Sequence, residues 1–250
     1  MQRRVDIWRK TLMGSNVEHK RHLYEKFIQG SDDISESLRT TIEADMPRTY
    51  ANKTDIQSLT PSIQKILVEY ASIHKGDSYL QGFNYMVAIL FYVFKDSEHA
   101  NADVFWCFSA IVGRIRPMIP DFNLSWFEWC RRHWMSEFHK RLQKKRPALD
   151  KLLSRHSETL SSLLPCKWFM IWFTQTVDFD EIFELWDFFI QLPPQHLMMA
   201  YISFAYEIFQ EAAPVVTYQW SVEPTNLLHT VLSLRVKKIG PALERVRKNF

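Results

Sequence analysis

Apolar residues recur at three- and four-residue intervals along most of this chain, and strict period-2 alternation is absent. That periodicity predicts helices rather than half-buried strands. Only 6 glycines accompany an aromatic content of 14%, which favours thick helix-on-helix packing over a turn-rich β plan. The clearest segment carries Ile63, Ile66, Leu67, Tyr70 and Ala71 on one stripe. Thr60 can cap its start, Pro61 suits the first helical position and Gly76 is a natural stop. Asn101 can likewise cap a helix through Phe105, Phe108, Ile111 and Val112, with Asp103 in its first turn and Pro117 and Pro120 ending it.

Further on, Glu181 to Leu192 reads as a mostly buried helix whose thin polar edge is Glu181, Glu184, Asp187 and Gln191. Leu163 to Val177 reads the same way, with Lys167, Thr174 and Gln175 as its polar edge. Pro193-Pro194, Pro214 and Pro224 mark helix boundaries. The tail from Arg235 to Lys248 sets Val236, Ile239, Leu243 and Val246 at helical spacing, interrupted or restarted at Gly240-Pro241. The expected fold class is all-α in two lobes, dividing near residues 116–135, with no linker-like stretch.

Several function classes fall away on composition. A net charge of +3 over 250 residues does not argue for nucleic acid. The three cysteines (Cys107, Cys130, Cys166) form no CxxC pair, so free thiols in a reducing compartment are expected rather than disulfides or zinc. His19 and His22 lack companion ligands and read as surface residues. The beginning of the chain carries no signal-peptide pattern. Tyr85 to Phe94 is far shorter than the roughly 20 residues that span a bilayer, so a soluble, cytoplasmic protein is expected. The basic run His139, Lys140, Arg141, Lys144, Lys145, Arg146 reads as a solvated helix face, with anionic lipid or an acidic partner as the alternative. No nucleophile–base pair or metal constellation of a self-contained hydrolase emerges.

Two loops end in polar residues that helix packing does not need. Ile34, Leu38 and Ile42 carry a helical stripe, and Pro47 disfavours helix at Met46, which leaves Arg48 just past a helix end. The second loop, Asp77 to Gly82, puts Gln81 at or just before the N-terminus of a buried helix beginning near Asn84. Free N–H groups there favour a phosphate, and Gly82 admits close backbone approach. Each loop alone also reads as ordinary: an Arg can satisfy the last carbonyls of its helix, and the second loop can be a plain turn. A connector from Thr49 to Leu59 can stretch roughly 35 Å and run back along the intervening helix, about 20 Å long, so the loops can meet.

Ile42-x-x-Asp45-x-x-Arg48 and Tyr79-x-Gln81-Gly82 resemble, in order and approximate spacing, the two signature motifs of the TBC domain, the GTPase-activating domain for Rab proteins. Trp168, Trp172 and the Trp186-Asp187 pair look like the family's aromatic and WD helices, and Arg4-x-x-x-Trp8 with Leu12 and Gly14 is similar to its usual start. The likeness covers essentially the whole chain. It implies one TBC domain over residues 1–250, with an N-terminal lobe of about 1–125 carrying both motifs and a C-terminal lobe of about 126–250. It further implies Arg48 as an arginine finger and Gln81 as a glutamine finger, inserted in trans into a GTP-bound Rab to accelerate hydrolysis. Ile42, Asp45, Thr49, Tyr79, Gly82 and Asn84 would support the finger loops. GTP and Mg²⁺ would belong to the GTPase, leaving this chain without a cofactor of its own and peripheral to endomembranes through the Rab. Gln191-Leu192-Pro193-Pro194 departs from the small-residue turn usual after the WD helix. A domain that binds a Rab without activating it, and a membrane-associated helical scaffold, are the alternative readings.

Overall fold

The computed structural model describes residues 1–29, 34–74, 79–115, 135–154, 168–222 and 233–250. They are helical in the main, and they belong to two compact units, Met1–Ile115 and Arg116–Phe250. In the first unit the helices are α1 (Gln2–Met13), α2 (Val17–Phe27), α3 (Glu36–Asp45), α4 (Thr54–Gln57), α5 (Thr60–Ile73), α6 (Phe83–Phe94) and α7 (Ala100–Ile115). Those of the second are α8 (Met135–Lys145), α9 (Pro147–Ser154), α10 (Ile182–Gln191), α11 (Pro194–Val222) and α12 (Gly240–Arg247).

Helix α6 is the axis of the first unit. It is apolar almost all round, and residues from Phe83 to Phe94 are buried on nearly every face, as befits a helix enclosed by neighbours. Helices α1, α5 and α7 pack on it. The expected stripe of α5 is buried at all five positions. Tyr70 meets the edges of Phe83 at 6.4 Å and Phe108 at 4.9 Å, separations typical of favourable edge-to-face pairs.

Two capping expectations shift by a residue. Thr60 is the first residue of α5 rather than its cap. Leu59 holds that place, and its carbonyl accepts from the Ile63 N–H at 2.9 Å. Asn101 lies inside α7, which begins at Ala100. Gly76, Pro117, Pro120, Pro224, Lys167, Cys130 and Cys166 lie outside the described residues.

Asp103 does more than favour the helix dipole. Its side chain is fully buried and accepts from Arg9 Nη2 at 3.0 Å, Arg21 Nε at 2.9 Å and Ser97 Oγ at 2.9 Å. One carboxylate thus ties α1 and α2 to α7. Burial pushes this carboxyl up, but hydrogen bonds from Arg21 and Ser97, with both guanidinium charges, outweigh it and hold it below the ordinary range.

In the second unit, Trp186, Phe189 and Ile190 of α10 are fully buried while Glu184 and Gln191 stay at its surface, as the thin polar edge predicted. Leu192 and Pro193 separate α10 from α11, which Pro194 opens. Pro214, by contrast, does not end a helix: α11 runs through it to Val222. A proline removes one backbone bond and crowds the carbonyl four residues earlier, a local cost that the turns on either side outlast.

Residues 168–177 correct the expectation most clearly. They form a succession of tight turns, not a regular α-helix, because Trp172 and Phe173 adopt left-handed backbone angles (φ 48° and 62°). The Phe173 N–H reaches back to Trp168 O at 2.8 Å, and the Trp172 carbonyl accepts from Trp186 Nε1 at 3.1 Å. That geometry buries adjacent rings: Trp172 lies 5.2 Å from Trp186, and Phe173 lies 5.0 Å from Phe204. Thr174 is buried rather than on a polar edge. Val177 then makes an isolated parallel bridge with Val236, so the chain is extended there and only the restart at Gly240 is helical. In the basic run His139 bonds Asp150 at 2.6 Å and Arg141 bonds Ser203 at 2.9 Å, while Lys140, Lys144, Lys145 and Arg146 are exposed.

Asp103→Asn is expected to cost on the order of 3 kcal/mol, because it leaves two guanidinium groups facing an uncharged amide in a buried setting. Since the native carboxyl is depressed, its contribution is complete above about pH 4 and is lost as pH falls through the depressed value. Urea unfolding across pH should show the gap between wild type and variant closing only in acid. A gap that stays constant with pH would remove charge as the cause.

Candidate functional site

The site is built at the end of α3 and the start of α6, within the first unit. Ser35 caps α3, its hydroxyl accepting from the Leu38 N–H at 3.3 Å, so Ile34 lies before the helix rather than on its stripe. Ile42 is fully buried and seats the last turn in the core. Pro47 has no N–H to continue the helix, which stops at Asp45. Met46, Pro47 and Arg48 then make one tighter turn, closed by the Thr49 N–H on Met46 O at 3.1 Å. Arg48 emerges from that turn with its side chain 64% exposed, and its Nη2 donates to Asp45 Oδ1 at 2.7 Å.

The second loop is described from Tyr79; Asp77 and Ser78 lie outside the described residues. Gln81 is exposed. Gly82 has φ 106°, a conformation that residues with a Cβ rarely adopt, and it turns the chain into α6 at Phe83. The Phe83 N–H closes the turn on Leu80 O at 3.0 Å.

Buried polar groups join the loops. Asp45, only 5% exposed, accepts on its second oxygen from Tyr79 Oη at 2.6 Å. Asn84, wholly buried, donates from Nδ2 to Thr49 Oγ1 at 2.6 Å, and that hydroxyl donates in turn to the Asp45 carbonyl at 2.9 Å. Short bonds to an ionised acceptor are the stronger kind, and a carboxylate so enclosed needs such partners. Burial first, and then the hydrogen bond to the Asp45 carboxylate, push the Tyr79 phenol well above the usual tyrosine range.

All of Asp45, Arg48, Thr49, Tyr79, Gln81, Gly82 and Asn84 therefore fall in one cluster of two loops. Ile42 belongs to the core beneath it. Sequence reasoning missed two participants. Tyr85 Oη donates to the Arg48 carbonyl at 2.8 Å, and Gln57 Nε2 donates to the Thr49 carbonyl at 2.8 Å. Tyr85 sits in an apolar run and Gln57 in the connector, and neither position carries a local signal that it reaches back to the first loop. The arrangement offers one cation and one amide on exposed side chains, each on a fixed backbone. Among the described residues no group of His, Cys, Asp and Glu is arranged to hold a metal, and no helix is long and apolar enough to cross a membrane.

The first unit thus presents an arginine and a glutamine on exposed side chains of two loops that are bonded to each other. The Rab-GTPase-TBC domain matches residues 1–212, and the chain belongs to that family. It is similar to growth hormone-regulated TBC protein 1 of Xenopus laevis, 27% identical over 180 residues that cover 70% of this chain and 48% of the relative. The Homo sapiens protein of that name is 24% identical over 194 residues, covering 75% and 54%. The chain thus spans about half the length of these curated relatives. The crystal structure of the Ypt/Rab-GAP domain of Gyp1p has the same fold: TM-score 0.71 at 17% identity, over 98% of this chain and 85% of that one.

Tyr79→Phe tests the link between the loops. The wild-type phenol should stay protonated through the range near pH 10 where ordinary tyrosines ionise. Because the folded value is raised, the stabilisation is complete below that range and is lost as pH climbs beyond it toward the raised value. Spectrophotometric titration should find no ionisation near pH 10 that Tyr79→Phe removes. The variant should also unfold about 1 kcal/mol more easily at neutral pH. A normal phenol titration would show that the Tyr79–Asp45 bond does not persist in solution.

Proposed function

We propose that this chain accelerates GTP hydrolysis by a Rab-type small GTPase, entering its nucleotide site with Arg48 and Gln81. The observation that carries the reading is that these two side chains are exposed while the loops that bear them are bonded to each other through Asp45–Tyr79 and Thr49–Asn84. Two groups destined for the same phosphate must keep a fixed separation, and a shared buried carboxylate supports that.

The chemistry asks for these side chains. Phosphoryl transfer is catalysed mainly by positioning and charge stabilisation. The Arg48 guanidinium would neutralise charge growing on the γ-phosphate and leaving oxygen. The Gln81 amide can accept from a water and donate to an oxygen, as orienting the attacking water requires. Nucleotide and Mg²⁺ would be the GTPase's own, and contact with an endomembrane would come through the GTPase. Arginine fingers are worth on the order of 10³–10⁵ in rate. The pair that holds Arg48 to Asp45 is mostly solvent-exposed on the arginine side, and such pairs are worth about 0–1 kcal/mol. Leaving Asp45 to reach a phosphate is therefore inexpensive.

A panel of GTP-loaded Rab proteins identifies the substrate. On it, Arg48→Lys should lose about 10³ in single-turnover rate, because an ammonium cannot reproduce the guanidinium fork. Gln81→Ala should slow hydrolysis with an unchanged melting temperature. Binding should be weak with GDP and tight with GDP–aluminium fluoride, and Arg48→Ala should abolish most of that gain. Equal binding to both states, indifferent to Arg48, would make the domain a Rab-binding module without catalysis.

A further inference from the structure

Tyr85 lies in the first turn of α6, four residues after Gln81, and faces the base of the other loop. Its hydroxyl donates to the Arg48 carbonyl at 2.8 Å. Its ring meets Tyr50 edge-on, with centroids 5.0 Å apart and planes at 77°. Tyr50 follows Arg48 by two residues and has φ 46°, a left-handed conformation that a bulky residue holds only when its surroundings impose it. The Tyr50 carbonyl accepts from the Lys53 N–H at 2.8 Å, so the chain reverses here against the Tyr85 ring.

From this geometry we infer that Tyr85 is a positioning residue for the arginine finger, clamping the Arg48 peptide to the helix that also carries Gln81. The inference rests on the function proposed above. The Asp45–Tyr79 bond fixes a side chain one turn before the finger, whereas the Tyr85 bond acts on the finger's own peptide. A freed Arg48 carbonyl could rotate its peptide and swing the root of a long side chain. Displacements of about 1 Å at a catalytic group can cost on the order of 100-fold in rate. The Tyr85–Arg48 bond is exposed to solvent, so water can replace part of it, and the loss should be smaller. Since Tyr85 acts through Arg48, its removal should matter only when the guanidinium is present.

The test is Tyr85→Phe, which keeps the ring and its contact with Tyr50 while deleting the donor. With the Rab most strongly stimulated by wild type, single-turnover kcat should fall about three- to tenfold. KM should hold steady and the melting temperature should move little. In an Arg48→Ala background the same substitution should change nothing further, whereas in a Gln81→Ala background its effect should persist. Hydrogen exchange of the free protein should quicken over residues 49–53 in Tyr85→Phe without a global change. Equal loss in both backgrounds, a rise in KM alone, or unchanged kcat and exchange would overturn the positioning role while leaving the activator reading intact. A wild-type chain that stimulates no Rab would overturn both, and faster exchange in Tyr85→Phe would then report only a structural clamp.

Discussion

The arrangement of the two loops depends on the carboxylate of Asp45. It is nearly buried at the last turn of α3, where one oxygen takes Arg48 and the other takes Tyr79. A carboxylate withdrawn from water needs its acceptor sites filled, and this one is filled from two places in sequence 31 residues apart, Arg48 and Tyr79. Its backbone carbonyl is drawn in as well, through the Thr49 hydroxyl and so to Asn84. Shifting α3 by one residue would break the side-chain pairings and the backbone one together. The position of the first loop is therefore a property of the second loop as much as of its own helix.

Around that centre the unit separates polar from apolar work. Most of α6 is an apolar axis, and its polar reach toward the first loop is confined to its opening turn, at Asn84 and Tyr85. A second buried carboxylate, Asp103, does for α1, α2 and α7 what Asp45 does for the loops, but its partners are two guanidinium groups and a serine. The contrast bears on role. The arginines on Asp103 are largely enclosed, with side chains 20% and 14% exposed, whereas Arg48 is 64% exposed. Enclosed pairs hold elements in register, and an exposed one can be exchanged.

Much of this was legible in the sequence wherever the determining contact was local. Pro47 ended α3 because a proline cannot continue a helical ladder, whereas Gly82, read as a point of close backbone approach, proved to hold a left-handed turn (φ 106°). The stripe on α5 and the thin polar edge of α10 followed from periodicity. Of the residues singled out by the two motifs, Asp45 bonds Arg48 and Tyr79, and Thr49 bonds Asn84. What escaped were effects set from a distance. Asp103 looked like a helix-start residue until Arg9 and Arg21 arrived from α1 and α2. Trp168 to Val177 had helical spacing, yet burying Trp172 and Phe173 against α10 and α11 favoured left-handed turns over a regular ladder. Pro214 read as a boundary although the helix on either side continues. Tyr85 was one aromatic in an apolar run, and nothing nearby in sequence announced the Arg48 carbonyl.

The exposure of Arg48 beside a buried Asp45 has a thermodynamic reading. Held by a fully buried partner, an arginine would have to leave behind an uncompensated charge, at a cost of several kcal/mol. Here Tyr79 donates to the other oxygen of Asp45, so a guanidinium that left would leave a carboxylate with a hydrogen-bond donor still in place. The attraction that remains still restrains a long side chain, whose ordering from free rotation costs up to about 2 kcal/mol. A partner that is itself satisfied and a cation that faces water together make a contact strong enough to bias Arg48 and weak enough to surrender it. If Arg48 acts as proposed, Tyr79 would serve it without bonding to it, by keeping Asp45 paired once the arginine left.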